Sequence, residues 1–121
     1  MVQKVTTYLM FQGDAPEALA LYKKVFPDST SHVRPGDAYL VEWQLAGHDV
    51  LLFNSPPIHD FSFTPSISLF VDFEDADAQQ AAFDQLSEGG QIMMPMDDYG
   101  FSQRFAWIAD QFGVSWQLNL P

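Results

Sequence analysis

Two stretches of this chain place neutral hydrogen-bonding side chains at alternate positions, the spacing that sets them on one face of a β-strand. Ser115, Gln117 and Asn119 alternate with Trp116, Leu118 and Leu120, and Ser66 and Ser68 alternate with Ile67, Leu69 and Val71. Hydroxyl and amide groups arrayed this way can orient a small organic molecule, but they offer neither a strong base nor a good metal donor. The groups that could do harder chemistry are scattered. His32, His48 and His59 share no helical or strand spacing that would let two of them bind one ion, and a lone imidazole titrates near neutral pH without any function. The chain has no Cys, which excludes disulfides, thiolate metal sites and a Cys nucleophile. Asp97-Asp98 reads as a solvated loop pair, and Glu74, Asp75 and Asp77 as charges that favour a helix start. Arg104 is the one Lys or Arg beyond residue 60; pointed inward it would suit an anionic ligand, pointed outward a surface carboxylate.

The elements that must position these groups can be read from punctuation and period. Val5 to Phe11 is rich in β-branched and aromatic residues and reads as a strand ended by Gly13-Asp14. Asp14 with Glu17 forms a capping-box pattern with Pro16 in the first turn. Ala18, Leu21, Tyr22, Val25 and Phe26 then form the apolar stripe of a helix stopped by Pro27. Thr30 to Arg34 reads as a short strand, Tyr39 to Leu45 alternates with strand period, and Gly47-His48-Asp49 turns into a strand at Val50 to Asn54. After a loop containing Pro56-Pro57 the pattern restarts: strand Pro65 to Phe73, helix Asp75 to Ser87 ended by Gly89-Gly90, strand Gln91 to Met94. A hairpin, Arg104 to Ala109 and Val114 to Leu120, closes the chain. The two halves, about 1–60 and 61–121, repeat with Tyr22 and Val25 mapping onto Phe83 and Leu86. The expected fold class is therefore α+β: two βαβββ half-repeats within one domain of 121 residues.

Bulk properties remove whole classes of partner. Five Lys+Arg against 16 Asp+Glu give a formal charge of −11, which repels nucleic acid and anionic membrane surfaces. No apolar run approaches the roughly 20 residues of a membrane span. The N-terminal stretch lacks a signal-peptide pattern, so the expected location is the cytoplasm.

Three ordered motifs carry a resemblance over nearly the whole chain. Phe11-Gln12-Gly13-Asp14-Ala15-Pro16-Glu17-Ala18 with Tyr22 and Phe26-Pro27-Asp28-Ser29, Phe63 to Val71, and Asp98 to Leu118 resemble the PhnB-like branch of the vicinal oxygen chelate superfamily, which includes glyoxalases, bleomycin-resistance proteins and dioxygenases. Phe101 and Gln103 depart from the Trp and basic residue common at those positions. The branch is often described as 3-demethylubiquinone-9 3-methyltransferase-like, yet a Rossmann-type methyltransferase needs a glycine-rich turn against its cofactor, and no G-x-G occurs here.

The resemblance implies that the half-repeats pair into a curved mixed sheet enclosing a cavity, with helices outside. It transfers the superfamily's four metal positions to Thr7, Leu52, Ser66 and Gln117, which offer no imidazole, carboxylate or thiolate; no metal or other cofactor is expected. The cavity face would carry Ser66, Ser68, Ser115, Gln117 and Asn119, joined from the first half by Thr7, Leu9, Phe11, Val50 and Asn54. Trp43, Phe105 and Trp107 could stack on a planar ligand, although aromatic residues on strands are usually core. Tyr99 and Phe101, flanking Gly100, suit a cavity rim. The resulting expectation is a metal-independent small-molecule-binding protein contacting its ligand through Thr7, Trp43, Asn54, Ser66, Ser68, Tyr99, Phe101, Gln117 and Asn119. The alternative is an enzyme of the same superfamily, of lyase, isomerase or dioxygenase type. The family commonly dimerises, and Phe61, Phe63, Met93, Met94 and Met96 supply apolar loop area for a homodimer.

Overall fold

The computed structural model describes residues 1–121. The chain divides into two compact units, Met1–Asp60 and Phe61–Pro121, and together they form an α+β protein with two helices and two mixed four-stranded sheets. No helix is long and apolar enough to cross a membrane.

The first unit contains β1 (Thr7–Phe11), α1 (Ala15–Val25), β2 (Thr30–Val33), β3 (Leu40–Leu45) and β4 (His48–Asn54). Its sheet runs β1-β4-β3-β2. β1 is parallel to β4, and the other pairs are antiparallel. Ala46 and Gly47, both at positive φ (50° and 80°), make the tight turn between β3 and β4, as a two-residue hairpin with right-handed strand twist requires. α1 buries Ala15, Ala18 and Tyr22. The Tyr22 ring lies 5.4 Å from that of Trp43, and Phe26 lies 6.2 Å from it. Leu9, Phe11, Val50 and Leu52 are buried with Trp43, so alternate residues of β1, β3 and β4 form the floor under α1. The helix start departs from the capping-box expectation. Asp14 makes no side-chain cap bond; instead Asn54, at the end of β4, accepts hydrogen bonds from the backbone N–H of Gly13 (3.0 Å) and Ala15 (3.2 Å).

The second unit contains β5 (Ser68–Asp72), α2 (Ala76–Ser87), β6 (Gln91–Asp97), β7 (Arg104–Ala109) and β8 (Ser115–Leu120), in sheet order β5-β8-β7-β6. Asp75 caps α2 by accepting from the Ala78 N–H at 2.8 Å. α2 buries Gln79, Ala82 and Leu86, the same i, i+3, i+7 pattern as Ala15, Ala18 and Tyr22, so burial sets the helix repeat at an offset of 64 rather than the 61 read from residue type. Gln79 is fully buried and donates from Nε2 to the carbonyls of Arg104 and Leu118, tying the helix to β7 and β8. Ala106, Ile108, Trp116 and Leu118 fill the space beneath it. β6 extends three residues beyond Met94 and runs through Pro95 with two register irregularities. Pro is tolerated there because β6 is an edge strand and bulges leave its missing N–H unneeded.

Candidate functional site

In the first unit Thr7, Leu9, Phe11, Val50 and Asn54, expected on a cavity face, lie instead on the face that packs against α1. Trp43 pairs across the sheet with Val50, and Val50 with Thr7; Asn54 pairs with Phe11. These strand positions therefore all belong to the floor under α1. Trp43 is 1 % exposed and packed on Tyr22 and Phe26, Asn54 is committed to capping α1, and the Thr7 hydroxyl is bonded to His48 Nε2 at 2.9 Å. The face turned away from α1 carries Tyr8, Met10, Leu51 and Phe53 instead, with Tyr8 and Phe53 ring centroids 6.0 Å apart. Partial burial raises the Tyr8 phenol above its usual pKa, and the charge of Asp37 adds to this.

That unit also has a groove of about 220 Å³ whose polar lining includes Lys4, His32, Arg34, Glu42, Gln44 and Asp49. Its charges are already matched. Glu42 binds Arg34 at 2.9 Å through one oxygen and His32 through the other. Asp49 binds Lys4 at 2.6 Å and accepts from Gln44 at 3.0 Å. The Arg34 hydrogen bond, helped by that of His32 and opposed by partial desolvation, holds the Glu42 carboxyl below its usual pKa. Lys4, then Gln44, do the same for Asp49. Of the nine residues proposed from sequence only Trp43 contributes to this lining; the signal for the groove was the polar alternation of Glu42 and Gln44 on β3.

In the second unit the alternating polar residues of β5 and β8 share one face. Ser68 pairs with Ser115, Phe70 with Gln117, and Asp72 with Asn119; Phe105 and Trp107 follow on β7. These positions form the face turned away from α2. A neutral hydrogen-bond network runs across it. Trp107 Nε1 donates to Ser115 Oγ (2.8 Å), Gln117 Nε2 donates to Ser68 Oγ (3.2 Å), and the two hydroxyls share one bond of 2.6 Å. Both side chains that join the serines do so as N–H donors. One of the two serine protons serves the shared bond, so the other is left without an acceptor. Ser66 does not take part: it precedes β5, is exposed, and bonds Thr64 at 2.7 Å.

Tyr99 and Phe101 join this face through Phe105. The Phe105 ring is met edge-on by Phe101 (5.0 Å) and Tyr99 (6.1 Å) and is approached by Phe70 (6.3 Å). Tyr99 is fixed from its other end by donating to the Pro95 carbonyl. Arg104 has the opposite parity, and its guanidinium binds Gln80 of α2. Its partner is thus a side-chain amide on the helix and not a carboxylate. Met93 and Met94, in the expected strand, and Met96, beyond its expected end, are half-buried within β6.

The four positions where the resemblance implies a metal do not fit one. Leu52 is buried and has no donor atom; Thr7 and Ser66 are neutral hydroxyls already bonded, and Gln117 is an amide held by Ser68. Divalent ions held by protein need imidazole, carboxylate or thiolate, and no three His, Asp or Glu side chains converge elsewhere.

The profile of the family described as 3-demethylubiquinone-9 3-methyltransferase matches residues 3–119. The structure of a PhnB protein from Bacillus cereus is similar with a TM-score of 0.86 and 35% identity, covering 98% of this chain and 100% of that one. Protein YjdN of Escherichia coli (strain K12) is 22% identical over 139 residues, 96% of this chain and 94% of its own. A glyoxalase-related enzyme from Fulvimarina pelagi, at 16% identity and a TM-score of 0.66 over 99% of this chain and 89% of that one, shares the fold.

Proposed function

The chain belongs to the family described as 3-demethylubiquinone-9 3-methyltransferase, with a PhnB-like, glyoxalase/bleomycin-resistance fold, and from that premise we propose that it binds a small organic molecule without a metal. The observation that carries the reading is the neutral network of Ser68, Ser115, Gln117 and Trp107, which lies on the same sheet face as the ring cluster around Phe105. Binding surfaces for small molecules combine apolar area with a few polar groups that fix orientation, and this face has both. Methyl transfer from a nucleotide-like cofactor is not supported. Each sheet has a single parallel strand pair, and the chain has no G-x-G turn. The reading includes a cytoplasmic location and a second copy of the chain as partner, the exposed Ile58 and Phe61 supplying apolar area.

Native mass spectrometry of the purified protein tests the proposal. A co-purified organic mass is expected in the wild type and is expected to be lost in Ser68→Ala/Gln117→Leu, which keeps the fold but strips the network. A wild type without any bound compound, and unmoved in melting temperature by a metabolite library, would overturn it. Stoichiometric Zn, Ni, Mn or Fe in the same preparation would overturn the metal-free part.

A further inference from the structure

The charge and hydrogen-bond accounting of the second unit's exposed sheet face goes further than the presence of a ligand. Read straight across the strands, one row of that face is Asp72, Asn119, Phe105 and Asp97, and the next is Phe70, Gln117, Trp107 and Met94. Carboxylates stand at both edges of the first row. No cation balances them, because the only Lys or Arg among residues 61–121 is Arg104, which binds Gln80 on the opposite side of the sheet. Between the carboxylates lies the aromatic group. Phe105 is buried beneath Phe70 and Phe101, and these two rings are themselves 55% and 62% exposed.

The polar groups in this row lack a donor. Asn119 is only 6 % exposed; its Nδ2 donates to Asp72 Oδ1 at 2.8 Å, and its Oδ1 has no hydrogen-bond partner. A buried acceptor left unpaired is costly, and native structures seldom keep one without a purpose. Nδ2 is held on β5, and on the other side of β8 Phe105 lies opposite Asn119 in register. Phe70 and Phe101, which cover Phe105 and are more than half exposed, can rotate on the fast timescale of surface side chains.

We propose that this face selects an organic ammonium ion. The proposal rests on the small-molecule reading above and names the ligand's charge. A cation placed over the Phe70 and Phe101 faces is attracted by the ring quadrupoles, its N–H groups supply the donor that Asn119 Oδ1 lacks, and Asp72 neutralises its charge. A neutral ligand would leave the carboxylates unused, and an anion would be repelled by both.

The test uses three probes of similar shape and different charge, benzylammonium, benzyl alcohol and phenylacetate, titrated into the full-length ¹⁵N-labelled protein. Benzylammonium is expected to shift the Asn119 side-chain amide and the backbone signals of Phe105 and Gln117, binding at least about fivefold more tightly than benzyl alcohol. Asp72→Asn preserves an acceptor for Asn119 Nδ2 and removes only the charge; it is expected to bring benzylammonium down to the level of benzyl alcohol while leaving benzyl alcohol unchanged. If benzyl alcohol or phenylacetate binds at these signals as tightly as benzylammonium, the ammonium assignment falls and small-molecule binding stands. If none of the three probes moves them, the ammonium assignment falls, while the small-molecule reading is decided by the co-purified mass.

Discussion

Glu42 holds two partners at once, Arg34 on one carboxylate oxygen and His32 on the other, and this arrangement is lost when the carboxyl takes a proton. The Arg34 hydrogen bond keeps its folded-state pKa below the ordinary value of 4.5. A group whose pKa is lowered on folding contributes stability above its unfolded value and loses it as pH falls through the folded value. The melting temperature of the wild type is therefore expected to fall progressively below about pH 4.5, with Asp49, held down by Lys4 from 3.8, adding a second, lower component. Glu42→Gln removes the first component, so its melting temperature should decline less steeply between pH 4.5 and 3. Parallel decline of the two proteins, measured by calorimetry, would show that the pair contributes nothing. Because the pair is largely solvated, the effect is small at neutral pH.

At the scale of elements, what decided legibility was whether the two faces of a strand differ in polarity. β8 alternates Ser, Gln and Asn with Trp and Leu, so its two faces are distinct in the sequence. β1 and β4 are apolar on both: Leu9, Phe11, Val50 and Leu52 face α1, while Tyr8, Met10, Leu51 and Phe53 face away. With no such contrast, the expectation that Thr7 and Asn54 lie on a cavity face rests on the resemblance alone. Asn54 is polar for another reason, since its carbonyl satisfies two N–H groups at the start of α1, a long-range cap that no local pattern announces. The helices, the α+β class and the polar alternation of β8 are legible because each rests on local period or punctuation; the groove around Glu42 is not, since it depends on which residues β2 and β3 set opposite each other. Gly89-Gly90, read as a helix stop, has a second role. Gly89 is at φ +72°, as a stop requires, but a Cβ on Gly90 would lie 2.0 Å from the Ala109 carbonyl oxygen. Gly90→Ala must push β6 away from the end of β7. A loss of about 2 kcal/mol or more is expected by urea denaturation, above the typical single substitution; a loss under about 0.5 kcal/mol would mean that the turn relaxes freely.

For the whole molecule, charge is distributed unevenly. Residues 61–121 carry nine carboxylates and one cation, for a formal −8 of the total −11, while residues 1–60 carry seven carboxylates and four cations. The second unit therefore attracts cations both through Asp72 at contact distance and through a diffuse field of its remaining carboxylates. Salt separates the two contributions. Raising ionic strength from 0.01 M to 0.15 M shortens the screening length from about 30 Å to about 8 Å, which removes the diffuse field and leaves a contact pair largely intact. Benzylammonium affinity, measured by calorimetric titration, is expected to fall about threefold to tenfold over that range, with benzyl alcohol unaffected. In Asp72→Asn the contact term is gone, so any preference for the ammonium that remains at low salt is expected to vanish at 0.15 M. If benzyl alcohol and benzylammonium weakened equally with salt in the wild type, charge would not be what selects the ligand, and the uneven distribution would serve only to keep the protein soluble.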